Sequence, residues 1–275
     1  MPVLTFDTYG KSRVRLLQVL RKHGRHEVVE LTVQILLEGD FRNSYVEGDN
    51  SGVLPTDTMK NTVYAIARQR PVESIEQFAL DLGRHFLARM PHASKVKVAI
   101  SQSPWDRIGD HPHAFLERGG ELRCSGVTVT RSQETVTSGV RNLHILKTAD
   151  SAFAGYMKDE YTTLAETHER LLGTVLDADW RYEEGDLGFS ALHEQIRRAL
   201  LDTFAGHRSF SVQHTLYAMA EDVLDGCPQV NDIHLVMPNK HCLLVDLSRF
   251  GLDNPNQVFV PTDEPSGYIE ARIGR

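Results

Sequence analysis

Hydrophobic and polar residues alternate twice near the start of the chain, loosely over Arg13–Val19 and more regularly over Glu27–Glu38, where Val29, Leu31, Val33, Ile35 and Leu37 share one face. A period of two is the mark of a half-buried strand. The polar stretch Lys22-His23-Gly24-Arg25-His26 between the two runs predicts a hairpin. After a Gly-, Asn- and Asp-rich loop at residues 47–52, the period lengthens to that of a helix from about Asp57 to Arg68. A second helix follows. Ser74 with Gln77 reads as a capping box, and Ile75, Phe78, Ala79, Leu82 and Phe86 keep one apolar face. Val96, Val98 and Ile100 return to a strand period, and a further strand region spans roughly Ala114–Thr130, interrupted at Gly119-Gly120.

The same order recurs after a polar stretch, Arg131–Gly139, which reads as a linker. Strands are expected at Asn142–Lys147 and Leu171–Tyr182, helices at Ser190–Phe204 and Ser211–Leu224, and strands at Asp232–Met237 and His241–Leu247. A short repeat supports duplication: Thr62-Val-Tyr-Ala-Ile-Ala67 and Thr215-Leu-Tyr-Ala-Met-Ala220 agree at four of six positions and lie 153 residues apart. That spacing fits a domain-sized unit and is too long for a solenoid. The expected class is α+β, with antiparallel sheets buried on one face under helices and a division into residues 1–135 and 136–275. Sheets of this kind leave open edges, so closure into a barrel by oligomerisation is expected.

Composition narrows the chemistry. The 275 residues are 41% hydrophobic and 24% charged, as in an ordinary globular chain. A net charge of −7 gives no cationic footprint for nucleic acid, so any anion must be met by local positive charge. No apolar run is long enough to span a membrane, and the opening Met-Pro-Val-Leu-Thr-Phe-Asp has no basic-then-apolar signal, so the chain reads as non-exported. Cys124, Cys227 and Cys242 have no paired metal-ligand spacing and are expected to be reduced, mostly packed thiols.

The two repeated helices point to their entrances, Thr56-Asp57-Thr58 and Ser211-Val212-Gln213. Such residues cap helices, yet a helix N-terminus also meets an anion or carbonyl oxygen, and both readings can hold. Lys11 before the first strand, Arg170 opening a later one, and His241 in Pro238-Asn-Lys-His241 are by default solvated or rim residues. His111-Pro-His113 raises a metal reading, since two histidines two apart share a strand face, but no further ligand or H-E-x-x-H motif accompanies them. The glycine-rich nucleotide loops are absent too.

Together these fragments resemble one family. Leu143-His-Ile-Leu-Lys-Thr-Ala-Asp-Ser-Ala-Phe153-Ala-Gly-Tyr156, then Asp159-Glu-Tyr-Thr-Thr-Leu164 and Arg170, are similar to the signature of the urate oxidases (uricases). So are Tyr9-Gly-Lys11, Gly39-Asp-Phe-Arg-Asn-Ser44, Thr56-Asp57 with Lys60-Asn-Thr62, Ser211-Val-Gln213 and Pro238-Asn-Lys-His241, in the family's order. Ala149 departs from the family's usual threonine, outside the expected contacts. Ile273-Gly-Arg275 lacks the Ser-Lys-Leu type of peroxisomal address, so the chain looks like a bacterial, cytoplasmic member.

The resemblance implies two tunnelling-fold units, each a four-stranded antiparallel sheet with two helices, in a homotetramer with active sites between subunits. It implies oxidation of urate by O2 and water to 5-hydroxyisourate and hydrogen peroxide, without metal or organic cofactor. Lys11, Thr56 and Asp57 would come from one chain, and Phe153, Arg170, Val212, Gln213, Asn239 and His241 from its neighbour. Lys11, Thr56 and His241 would relay protons, Lys11 as a base only if burial or a nearby cation disfavours its ammonium form. Arg170 and Gln213 would grip the flat anion edge-on, Phe153 would stack on it, the N–H groups of Asp57 and Val212 would meet its carbonyls, and Asn239 would hold O2 and later water. Two other readings stay open: a tunnelling-fold catalyst for pterins or guanine nucleotides, with or without zinc, and a non-catalytic purine-binding tetramer.

Overall fold

The computed structural model describes residues 2–183 and 187–275. Two compact units emerge, Met1–Gly139 with Arg181–His193, and Val140–Trp180 with Glu194–Arg275.

In the first unit, β1 (Tyr9–Lys22) and β2 (Arg25–Gly39) form the expected hairpin, with longer strands than the hydropathy pattern marks. Their two-residue turn, His23-Gly24, has both φ angles positive (45° and 80°), the conformation whose twist matches the flanking strands. A short α1 (Arg42–Val46) follows, then α2 (Thr56–Gln69) and α3 (Ile75–Arg89). Next come β3 (Ala93–Ser103), a small outlying hairpin of β4 (Trp105–Arg107) and β5 (Phe115–Glu117), and β6 (Leu122–Thr130). The sheet order is β1-β2-β3-β6, antiparallel throughout. Helix α2 lies on β1, and α3 on β3 and β6. Val33, Ile35, Leu37, Val96, Val98, Met59, Val63 and Leu82 are buried between sheet and helices.

The stretch read as a polar linker is largely strand. Only Arg131–Gln133 turns, and β7 (Glu134–Lys147) begins at once. Its Thr and Ser residues imitate a linker, yet Ser138 is buried because its hydroxyl donates to the carboxylate of Glu76 (2.5 Å), itself fully buried and paired with Arg123 (2.8 Å).

In the second unit β8 (Leu172–Tyr182) is central, and α4 (Phe189–Gly206) and α5 (Val212–Gly226) precede β9 (Val230–Val236), β10 (Asn239–Leu244), β11 (Phe259–Gly267) and β12 (Glu270–Gly274). The last two strands extend a pattern expected to stop at residue 247. Nor do β9 and β10 pair with each other: each pairs with β8, while β12 completes β9 and β11 completes β10. The two-residue break at Met237-Pro238 redirects the chain; Met237 N–H donates instead to Ile269. Helix α5 packs on β9 and β12. The α+β class and antiparallel pairing are therefore as read.

The repeat marks a shared core face. Val63 and Leu216 are buried at equivalent positions, as are Ala67 and Ala220, while Tyr64 and Tyr217 both face outward. Helix α2, however, begins six residues before its copy of the repeat and α5 only three before, so the first helix carries an extra turn at its mouth.

Candidate active site

In the first unit the site residues converge on the mouth of α2. Lys11 pairs with Ile35, and directly after it Ser12 and Arg13 oppose the single residue Gln34, a bulge in which Arg13 has φ 57°. A bulge re-aims the neighbouring side chains, and here it sits beside Lys11. Gly10 is required by contact: a Cβ there would stand 1.9 Å from the carbonyl oxygen of Ile35. Tyr9 completes the device. Its hydroxyl accepts from Leu54 N–H (3.0 Å), its ring meets Phe41 edge-on (4.8 Å between centroids), and burial raises its pKa, keeping the phenol protonated. At the other end of α2, Gln18 of β1 donates to Ala67 and accepts from Val72 N–H (3.0 Å). The helix is thus fastened to β1 at both ends.

The expectation that Thr56 or Asp57 caps α2 does not hold. The N-cap is Pro55, which has no side-chain acceptor, so the N–H groups of the first turn, Thr56, Asp57 and Thr58, receive no side-chain cap. By contrast Ser74 caps α3 through Gln77 N–H (3.1 Å). The Asp57 carboxylate bonds to Lys60 and Asn61 (3.0 Å to the latter) and lies below the usual carboxylate range, chiefly through Lys60, with the charge of Lys11 adding to it. That coupling shows Lys11 and the first turn of α2 close enough to share a field. The Thr56 hydroxyl has no hydrogen-bond partner among the described residues and is half-buried.

In the second unit Phe153 and Arg170 are brought together. Phe153 exchanges backbone hydrogen bonds with Thr167 (2.8 and 3.0 Å), Arg170 N–H donates to Ser151 (2.8 Å), and Ser151 bridges Ser209 just before α5. These links gather three distant segments. The Arg170 guanidinium lies 5.3 Å over the Phe153 ring, whose stacking partner is Tyr156 (4.8 Å, 16°). Burial lowers the Arg170 pKa, and its buried Nε has no hydrogen-bond partner; no carboxylate pairs with it among the described residues. A half-buried cation without counter-charge is costly to leave empty. At α5, Ser211 caps His214 N–H (3.1 Å), which leaves the N–H groups of Val212 and Gln213 without a side-chain cap at the helix mouth. Val212 is buried and Gln213 reaches outward. Asn239 and His241 stand on β10, whose registry Asn239↔Thr174 and Lys240↔Gly173 runs His241 toward the end of β8 that follows Arg170.

The histidine pair 111/113 lies in a turn and not on a strand, its rings packed edge to face (4.5 Å). Among the described residues no group of three or more His, Cys, Asp or Glu has metal-holding geometry, and none of the three cysteines is in a disulfide. Tyr9, Gln18 and Tyr156 escaped the sequence reading, although Tyr9 and Tyr156 sit inside the recognised motifs.

The chain is of the antiparallel α+β class of proteins, with no side-chain cap at the mouth of α2 and, against Phe153, an arginine that has no carboxylate partner among the described residues. Comparison with known proteins identifies the family. The uricase family model matches residues 7–128 and 136–270, and the chain belongs to the uricase family. The uricase of Arthrobacter globiformis is 42% identical over 273 residues, spanning 99% of this chain and 90% of that one, and that of Dictyostelium discoideum is 40% identical across 100% and 98%. The crystal structure of the Arthrobacter globiformis uricase superimposes with a TM-score of 0.97, covering 100% of this chain and 96% of the other. A urate oxidase from Bacillus sp. TB-90, only 21% identical, shares the fold with a TM-score of 0.85.

Proposed function

We propose that the chain is a urate oxidase that needs neither metal nor organic cofactor and works as a homotetramer of tunnelling-fold subunits closed into a barrel. Each site forms between copies, one giving Lys11, Thr56 and Asp57, the other Phe153, Arg170, Val212, Gln213, Asn239 and His241. The observation that carries the reading is the Arg170 guanidinium, half-buried, without a counter-ion among the described residues, and poised over Phe153. A planar anion supplies what it lacks: two acceptors for a charge-assisted fork, in the plane that Gln213 shares. The bare N–H groups of Asp57 and Val212 suit carbonyl oxygens of the same ligand.

Urate, O2 and water give 5-hydroxyisourate and hydrogen peroxide. Two electrons pass from the purine to O2, which leaves as peroxide, and the oxygen of water adds to the ring. Ground-state O2 reacts poorly with closed-shell molecules, so the protein's task is to hold urate as its electron-rich anion. Lys11, Thr56 and His241 carry protons away and return them, and Asn239 holds O2 and then water over the ring. The unbonded Thr56 hydroxyl, free to donate or accept, suits a relay. Urate absorbance followed together with peroxide release, after exhaustive chelation, tests this. Turnover at stoichiometric peroxide is expected; no turnover, or turnover restored only by added metal, contradicts it.

A further inference from the structure

The first turn of α5 carries a second feature that the reaction does not use. His207, just past α4, and His214, in that turn, face each other with Nε2 and Nδ1 3.1 Å apart and ring centroids 4.4 Å apart. His207 is half-buried, and its backbone carbonyl accepts from the Lys147 ammonium at the end of β7 (2.6 Å). The Phe210 ring covers His214 (5.5 Å), and the His214 N–H is the group that Ser211 caps. The chain β7–Lys147–His207–His214 therefore ends on the residue next to Gln213. We propose that His207 and His214 are a positioning pair that fixes the first turn of α5, and with it the Gln213 amide and Val212 N–H, on urate; this rests on the function proposed above.

The pair is also a proton counter. A single ring proton between Nε2 and Nδ1 makes the bond, and one further proton can sit on a nitrogen facing away, so the bond survives the first protonation. The second puts N–H groups on both facing nitrogens and breaks it. Lys147 is the charged group facing His207, Phe210 the apolar group facing His214, and no carboxylate pairs with either ring among the described residues. Burial first, then the charges of His214 and Lys147, lower the His207 pKa, which holds off the doubly protonated state that breaks the bond until the pH falls. Loss of the bond loosens binding, not chemistry, so KM changes and kcat does not.

The test compares wild type with His207→Gln, whose amide reaches the Nε2 position but cannot titrate, and with His207→Phe, which cannot bond. The KM ratio between wild type and His207→Gln, in which the substrate's own ionisation cancels, is expected to rise about fivefold from about pH 7 to pH 5. His207→Phe is expected to raise KM about tenfold at neutral pH with kcat within about twofold, and His207→Gln to restore the wild-type KM there. Histidine ring NMR, read without substrate, is expected to show two coupled titration steps in wild type and one in His207→Gln. A pH-independent ratio, a wild-type KM in His207→Phe, or independent titration of the rings overturns the pair alone. Wild-type protein that never oxidises urate overturns the functional reading and the pair with it.

Discussion

Replacing Arg170 by Met should separate stability from function. The substitution removes a cation whose buried Nε lacks a partner among the described residues and whose pKa burial depresses, while the thioether stem can keep the contact with Phe153. An unsatisfied buried donor costs about 1–3 kcal/mol. Because the rest of the guanidinium is only half-buried, the lower end applies, and the ligand-free variant should gain about 1 kcal/mol, or roughly 2–4 °C in Tm for a chain of this size. Binding should move the other way. A charge-assisted contact contributes about 1.5–3 kcal/mol, so losing the fork should weaken urate binding by roughly 10- to 150-fold. Calorimetric melting without ligand and equilibrium binding of urate under anaerobic conditions, where no turnover depletes it, read the two effects separately. A variant that melts below wild type while binding urate as tightly would refute the reasoning, because Arg170 would then be a structural cation and not an anion's partner.

Lys11→Met should leave anaerobic urate binding within a few-fold yet slow turnover by about 10²-fold or more, since a proton carrier is lost and little contact area; stopped-flow kinetics decides it. Thr56→Ala should cost little stability in urea melts, because its side chain caps nothing, while Ser211→Ala should cost about 1 kcal/mol through loss of a real cap. Gly10→Ala should destabilise by about 3 kcal/mol, since its methyl meets the Ile35 carbonyl and not a yielding side chain. His85, whose pKa burial and then Arg89 lower, takes a proton more readily when unfolded; its contribution is intact above the usual histidine range near pH 6.5 and declines as the pH falls below it, visible as a falling Tm that His85→Leu flattens.

The strands with apolar alternation were legible, as β2 and β3 show, because one buried face writes a period of two into the sequence. The start of β7 was not, since Ser138 is buried by pairing with Glu76 and hydropathy records neither partner as core. β12 hides for a related reason: only Ala271 and Ile273 alternate, and the strand is held by its register with β9. Within the site, residue types were readable from motifs, but not the state of the helix mouths. A proline directly before Thr56 leaves α2 uncapped, whereas Ser211 caps α5, and only backbone geometry separates the two. That Arg170 has no counter-charge among the described residues is likewise a three-dimensional fact, invisible in a sequence with 37 acidic residues.

The claim that one urate site draws on two copies is tested most directly by complementation. Lys11→Met and Arg170→Met chains, each nearly inactive alone at urate concentrations well below the KM of Arg170→Met, are co-expressed so that they assemble together, and urate turnover is measured on the purified mixture at such a concentration. If the sites form between copies, random pairing unites both intact residues at roughly a quarter of them, and a corresponding share of wild-type activity returns. If each chain builds its own site, every site carries a lesion and the mixture stays as inactive as either parent.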